Sequence, residues 1–203
     1  MINRAERARS LLEFDLQYLS DGTVIAGMDE VGRGPLAGNV VTACVVMPEE
    51  PLIRWIDDSK KLSETRREEV FREITACALQ IGTGEVSPGE IDEINILQAT
   101  KKAMRLAAGK VSADVFLIDA VKDLGLNGRE VPIIKGDATS YCIAAASIIA
   151  KVTRDRQMAE ADRLYPQYGF ARNKGYGTKE HIEALKKYGP CPLHRKTFIR
   201  NFI

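Results

Sequence analysis

The chain has 203 residues, enough for one domain with a substantial core and too few for two independent ones. An apolar fraction of 45% and a charged fraction of 28% exclude a disordered tail, a collagen-like repeat and a disulfide-built miniprotein. The net charge of +1 conceals a split: residues 151–203 hold twelve Lys or Arg against five Asp or Glu, leaving residues 1–150 at −6. Such a chain suits cations in one place and polyanions in another, or simply carries solvated helix faces.

Residues 4–19 set Leu11, Leu12, Leu16 and Leu19 with Phe14 and Tyr18 among charges, a helical pattern that Asp21-Gly22 ends. Residues 23–28 form a short apolar run and 39–47 a β-branched one stopped by Pro48. Both read as buried strands, with the glycine-rich stretch 32–38 as the turn between them. Ser63 caps a helix over 64–78, residues 79–86 read as a strand, and Ser87-Pro88 opens a helix to about 108. Apolar runs at 115–118 and 131–134 predict two more strands, with Asn127-Gly128 as a tight turn before the second. An alanine-rich helix is predicted over 138–165 and a further one over 178–188. Strands come early and then alternate with helices, which predicts an α/β fold: a mixed β-sheet flanked by helices, with a helical C-terminal region. The first strands follow each other too closely for helical crossovers, so they should be antiparallel.

The four cysteines form no C-x-x-C pair and the histidines are only His181 and His194, which argues against a Cys/His zinc site. Scattered cysteines, and a charged N-terminus without an apolar signal core, point to a reducing compartment; we read the protein as cytoplasmic. The most apolar stretches, 40–47 and 142–150, are too short to span a bilayer.

Most acids sit on helix faces and need no explanation. Asp29 and Glu30 directly follow the first apolar strand, Asp119 follows the run 115–118, and Asp137 follows 131–134 after Lys135-Gly136. All lie at the carboxyl ends of buried segments, where α/β sheets place ligands. Four carboxylates on one sheet edge repel one another, and a divalent cation removes that cost. Oxygen ligands without His or Cys favour Mg²⁺ or Mn²⁺, and two such ions suit phosphodiester cleavage. Asp137 fits a helix N-cap as well as a metal ligand. For Asp29 and Glu30 to converge, the strand must bend, because neighbouring residues face opposite ways.

The segment Asp29-Glu30-Val31-Gly32-Arg33-Gly34-Pro35-Leu36-Ala37-Gly38 resembles the signature of the ribonuclease HII family. Asp57-Asp58-Ser59-Lys60-Lys61-Leu62-Ser63, Leu117-Ile118-Asp119, Lys135-Gly136-Asp137 with the helix 143–155, and Asn173-Lys174-Gly175-Tyr176-Gly177-Thr178 resemble its further motifs, in order. Asn39 and Ala120 depart from it, standing where proline and glycine are usual. The resemblance implies a single ribonuclease H-like catalytic domain over 1–203, with residues from about 165 to 203 a basic helical substrate-binding extension. It implies a metal-dependent endonuclease that uses Mg²⁺ or Mn²⁺ in a two-metal mechanism. Such an enzyme cuts the RNA strand of RNA–DNA hybrids, and cuts 5′ of single ribonucleotides in duplex DNA, leaving 3′-hydroxyl and 5′-phosphate ends. Asp29, Glu30, Asp119 and Asp137 would hold the metals, with Asp155 a supporting acid. Gly32, Arg33 and Gly34 would read the ribose, Tyr176 would stack on the deoxyribose after it, and Lys60 and Lys174 would hold phosphates. No protein partner and no membrane are expected, and a monomer is.

A transposase or Holliday-junction nuclease of related fold would share clustered acids but not the Gly32-Arg33-Gly34 turn with Tyr176. A noncatalytic nucleic-acid-binding module would use the basic face and have no need of four acids.

Overall fold

The computed structural model describes residues 3–20 and 22–203; Asp21, half of the predicted helix stop, lies outside them. Helix α1 (Arg4–Leu16) starts at a capping box in which Asn3 accepts from Ala5 N–H and Glu6 reaches back to Asn3. It stops short of Tyr18 and Leu19, which the sequence pattern had included.

Five strands form one sheet in the order β3-β2-β1-β4-β5: β1 (Ile25–Val31), β2 (Val40–Val46), β3 (Gln80–Val86), β4 (Val115–Asp119) and β5 (Arg129–Ile133). The first three are antiparallel, as expected, and β4 and β5 run parallel to β1. Because β4 and β5 are parallel, Asn127-Gly128 makes no hairpin. β1 outlasts its predicted end: Asp29 and Glu30 lie inside it, opposite Ala43 and Thr42 of β2. Its pairing with β4 ends at Met28, opposite Ile118, so the acids line an edge that is free on that side.

Helix α3 (Pro88–Ala108) covers one sheet face, packing Met104, Ala107 and Ala108 on Met28, Cys44 and Phe116. It is kinked at Asn95 (φ 65°), whose side chain accepts from the N–H groups of Leu97 and Gln98 and so caps the second half. Helix α4 (Tyr141–Leu164) covers the other face. Its residues 141–150 are buried all round, between the sheet and the helices α1 and α2 (Glu64–Cys77). Ser140, not Asp137, caps α4, its hydroxyl accepting from Ile143 N–H. Asp137 sits earlier, in a single 3₁₀ turn over Gly136–Ala138.

The region after 164 is helical in short pieces: α5 (Phe170–Asn173), α6 (Lys179–Tyr188) and α7 (Lys196–Ile199). The segment between α6 and α7 returns to the loop between β1 and β2, where His194 makes an isolated bridge with Ala37. Among the described residues no helix is long and apolar enough to cross a membrane.

Candidate active site

Parallel pairing of β1 and β4 sets their carboxyl ends side by side. Asp29 of β1, Asp119 at the end of β4 and Asp137 in the 3₁₀ turn after β5 offer oxygen atoms that all lie within 4.8 Å of one another. Gly136 N–H donates to Asp119 Oδ1 at 2.7 Å, which fastens the turn carrying Asp137 to the end of β4. Asp29 Oδ1 accepts from Glu30 N–H at 2.7 Å. Glu30 stands beside this triad rather than in it. Its Oε1 accepts from Arg33 at 3.3 Å, and its Oε2 is buried with no partner among the described residues. β1 continues as a strand through both acids to Val31, and the Glu30 charge still acts on Asp29.

Burial holds the Asp29 carboxyl well above the usual range, with Glu30 and Asp119 pushing the same way. Burial lifts Glu30 to about 7 against the pull of Arg33, and Asp119 adds to the rise. Asp137 is raised by burial and by Asp58 and Asp119, with Lys60 opposing. Lys60 Nζ lies 3.7 Å from Asp137 Oδ2, and although burial disfavours its charge, Asp137, Asp58, Asp29 and Asp119 together raise its pKa. Three converging carboxylates, an unpartnered buried Oε2 and no His or Cys ligand fit a hard divalent cation.

The sign of this strain gives a measurable outcome. A carboxyl whose folded pKa is raised stabilises the fold fully below its unfolded pKa and loses that contribution as pH rises through the folded one. For Glu30 the window runs from about 4.5 to about 7. Stabilisation by Mg²⁺ or Mn²⁺ should therefore be small at pH 5 and large at pH 7.5. At a hundredfold excess over Kd it is about 2.7 kcal/mol, or about 5–10 °C in Tm for a domain of this size. Equal shifts at both pH values, or none, in differential scanning fluorimetry would contradict the assignment.

Beside the acids, residues 32–38 connect β1 to β2. Gly32 (φ +94°) and Gly38 (φ +86°) take left-handed conformations that favour glycine. Two fully buried arginines hold the carbonyls of this turn. Arg195 donates to the carbonyls of Gly32 (2.5 Å), Arg33 (3.0 Å) and Gly38 (2.8 Å). Arg154 donates to those of Ala37 (3.0 Å), Asn39 (2.9 Å) and Lys174 (2.9 Å). With the carbonyls engaged, no acceptor among the described residues takes the N–H of Arg33 or Gly34. The Tyr176 ring, half exposed, comes within 3.8 Å of where a Gly34 side chain would begin.

The remaining sequence-derived residues divide. Lys60 is exposed at the acids. Lys174 is mostly covered, its Nζ 3.9 Å from Glu64, and serves Arg154 through its carbonyl. Asp155 pairs with Lys151 at 2.5 Å and Arg67 at 3.6 Å and stands outside the triad. Sequence reasoning counted both Arg154 and Arg195 among the charges of the basic end 151–203. The available signal for Arg154 was its place on the helix that carries the apolar run 142–150, where a buried guanidinium needs partners; nothing local marks Arg195.

A family profile described as Ribonuclease HII matches residues 26–201. A ribonuclease HII of Ruminiclostridium cellulolyticum is 54% identical over 201 residues, covering 98% of this chain and 79% of that protein. The crystal structure of the ribonuclease H2 from Pyrococcus horikoshii superposes with a TM-score of 0.75 at 28% identity, covering 88% of this chain and 96% of that one. The Archaeoglobus fulgidus RNase HII, solved in complex with PCNA, superposes with a TM-score of 0.74 at 28% identity, covering 85% of this chain and 93% of that one.

Proposed function

Because the chain belongs to the ribonuclease HII family, we propose that Asp29, Glu30, Asp119 and Asp137 are its catalytic, metal-holding acids and that the 32–38 turn and Tyr176 read its substrate. The family's members are endoribonucleases that cleave the RNA of RNA–DNA hybrids and cut at ribonucleotides in DNA. The observation that carries the residue assignment is the convergence of three acids, from β1, β4 and the turn after β5, within 4.8 Å.

Asp29, Asp119 and Asp137 would hold one divalent ion, magnesium or manganese, and Asp29 with the free Oε2 of Glu30 a second. When bound, these ions supply an acidified water and charge stabilisation at both the attacking and the leaving oxygen. With ions held there, the acids would offer the anionic scissile phosphate a positively charged seat that the bare carboxylates would deny it. The phosphorus–O3′ bond breaks, and the products carry 3′-hydroxyl and 5′-phosphate ends. Arg33 and Lys60 add positive charge at the phosphates on either side of the acids.

Reading RNA requires sensing the 2′-hydroxyl, the group DNA lacks. The N–H groups of Arg33 and Gly34 are free for it, and the absence of side chains at Gly32 and Gly34 lets the backbone approach the sugar. Tyr176, against Gly34, stacks on the next sugar and so selects an RNA-to-DNA junction. Residues from about 165 onward form a basic helical closure of the same single domain. Cleavage of a duplex with one ribonucleotide, against no cleavage of all-DNA duplex, tests the reading as a whole. Tyr176→Ala should lower kcat/KM on the single-ribonucleotide duplex by about 10–100-fold more than on a long hybrid, the range set by one lost stacking contact. Equal losses on both substrates would remove its junction role.

A further inference from the structure

His181 and His194 are both buried in the C-terminal region, and the catalytic reading leaves them unused. Their ring Nε2 atoms lie 3.0 Å apart. His181 Nδ1 is 2.8 Å from the Tyr176 carbonyl oxygen, and His194 Nδ1 is 3.0 Å from Cys191 N–H. Only one proton arrangement satisfies all three contacts. A carbonyl only accepts, so His181 carries its proton on Nδ1 and its Nε2 accepts. His194 must then carry its proton on Nε2, which leaves its Nδ1 to accept from Cys191. The result is a directed chain from Cys191 N–H through both rings to the Tyr176 carbonyl.

We propose that His181 and His194 are positioning residues for Tyr176, a pair locked in fixed tautomers that sets the distance between the tyrosine and the 32–38 turn and thereby the preference for junctions. This rests on the junction-reading role given to Tyr176 above. Tyr176 lies in a stretch without regular structure, between Gly175 (φ +82°) and Gly177. Among the described residues, His181 supplies the side-chain hydrogen bond to its peptide group. At the other end, His194 bridges Ala37, Leu193 carbonyl accepts from Gly38 N–H, and Arg195 N–H donates to Leu36. The two rings thus join the tyrosine's own carbonyl to the turn it works beside, in parallel with the backbone bond from Leu36 N–H to the Gly175 carbonyl.

The surroundings keep both rings neutral. Tyr168 and Phe170 wall the pair, with ring centroids 4.8 Å from His194 and 5.4 Å from His181 respectively. The titratable groups facing it are the Cys191 thiol, 3.2 Å from His194 Nδ1, and Tyr168, whose hydroxyl turns away to donate to Gly189. Arg195 directs its guanidinium at the 32–38 turn, and Glu180 pairs with Arg172 at the surface. Burial and the neighbouring His181 push His194 down to about 4, and burial lowers His181.

The test compares kcat/KM on a single-ribonucleotide duplex with that on a long hybrid, a ratio from which the shared chemical step cancels. His181→Phe removes the donor and keeps an aromatic ring in place; His181→Asn restores an N–H where Nδ1 stood. The phenylalanine variant should lower the ratio at least fivefold while changing hybrid cleavage less than threefold, and the asparagine variant should recover most of it. In a Tyr176→Ala background His181→Phe should lower the ratio no further. A folded His181→Phe protein with an unchanged ratio, or with equal losses on both substrates, overturns the inference. If Tyr176→Ala itself leaves the ratio unchanged, the junction reading falls with it; if only Tyr176→Ala lowers it, the inference falls alone. Should His181→Phe not fold, imidazole ¹⁵N shifts of the unmodified protein decide. Protons on Nδ1 of His181 and Nε2 of His194 at pH 7 support the pair, and any other protonation pattern refutes it.

Discussion

Asp29→Asn should abolish at least about a thousandfold of the cleavage rate and, in the absence of metal, raise the melting temperature. The two effects have one cause. Asp29 is buried next to Asp119 and Asp137, and its ionised form is disfavoured first by burial and then by Glu30 and Asp119. An amide of the same shape removes both penalties. Relief of about 1–2 kcal/mol corresponds to a few degrees in a domain of this size. The same amide is a poor ligand for a hard cation, so the increase in Tm on adding magnesium should shrink in parallel with activity. Steady-state cleavage of a single-ribonucleotide duplex, with melting scans in chelator and in magnesium at pH 7.5, makes the measurement. Wild-type turnover in the purified variant would show that Asp29 is not in the catalytic set.

Gly27→Ala should be strongly destabilising. Gly27 lies on β1 directly under α4, and a Cβ there would sit within bonding-like distance of the backbone of Cys142 and Ile143. Backbone cannot rotate aside as a flexible side chain can, so the strand and helix must separate. The loss should reach about 3 kcal/mol or more, roughly 10 °C in Tm. Asp29 is two residues along on the same strand face, so separation also displaces a carboxylate, and activity should fall at temperatures where the variant is still folded. Gly89→Ala is the control: it lies in the first turn of α3 with open space around it, and should be neutral or slightly stabilising. A Gly27→Ala protein melting with the wild type would mean that β1 and α4 are not packed as closely as described.

The candidate acids were legible because their positions are chemically odd. A carboxylate directly after an apolar run needs a partner, and Asp29 and Asp119 have that placement, while Asp137 follows its strand after Lys135-Gly136. The glycines of the 32–38 turn and around Tyr176 were legible as places where the backbone approaches something. Pairing was not legible. Nothing local states that β1 runs on through Glu30 to Val31, since two acids look like a strand end until β2 is seen opposite them. The parallel partnership of β1 with β4 joins residues some ninety positions apart, and it alone brings Asp29 to Asp119. Asn95 reads as one more helix residue, and the kink emerges because its side chain restarts the helix. Arg154 and Arg195 read as surface charge because composition cannot distinguish a guanidinium in water from one enclosed by carbonyls.

Arg195 grips carbonyls that precede it by 157 to 163 positions. During synthesis, the sheet and α4, with all four acids, have been translated by residue 164, some thirty residues before that grip can close. Shortening the chain to residue 164 would therefore leave all four acids on their elements and take away the guanidinium that clasps the carbonyls of Gly32, Arg33 and Gly38.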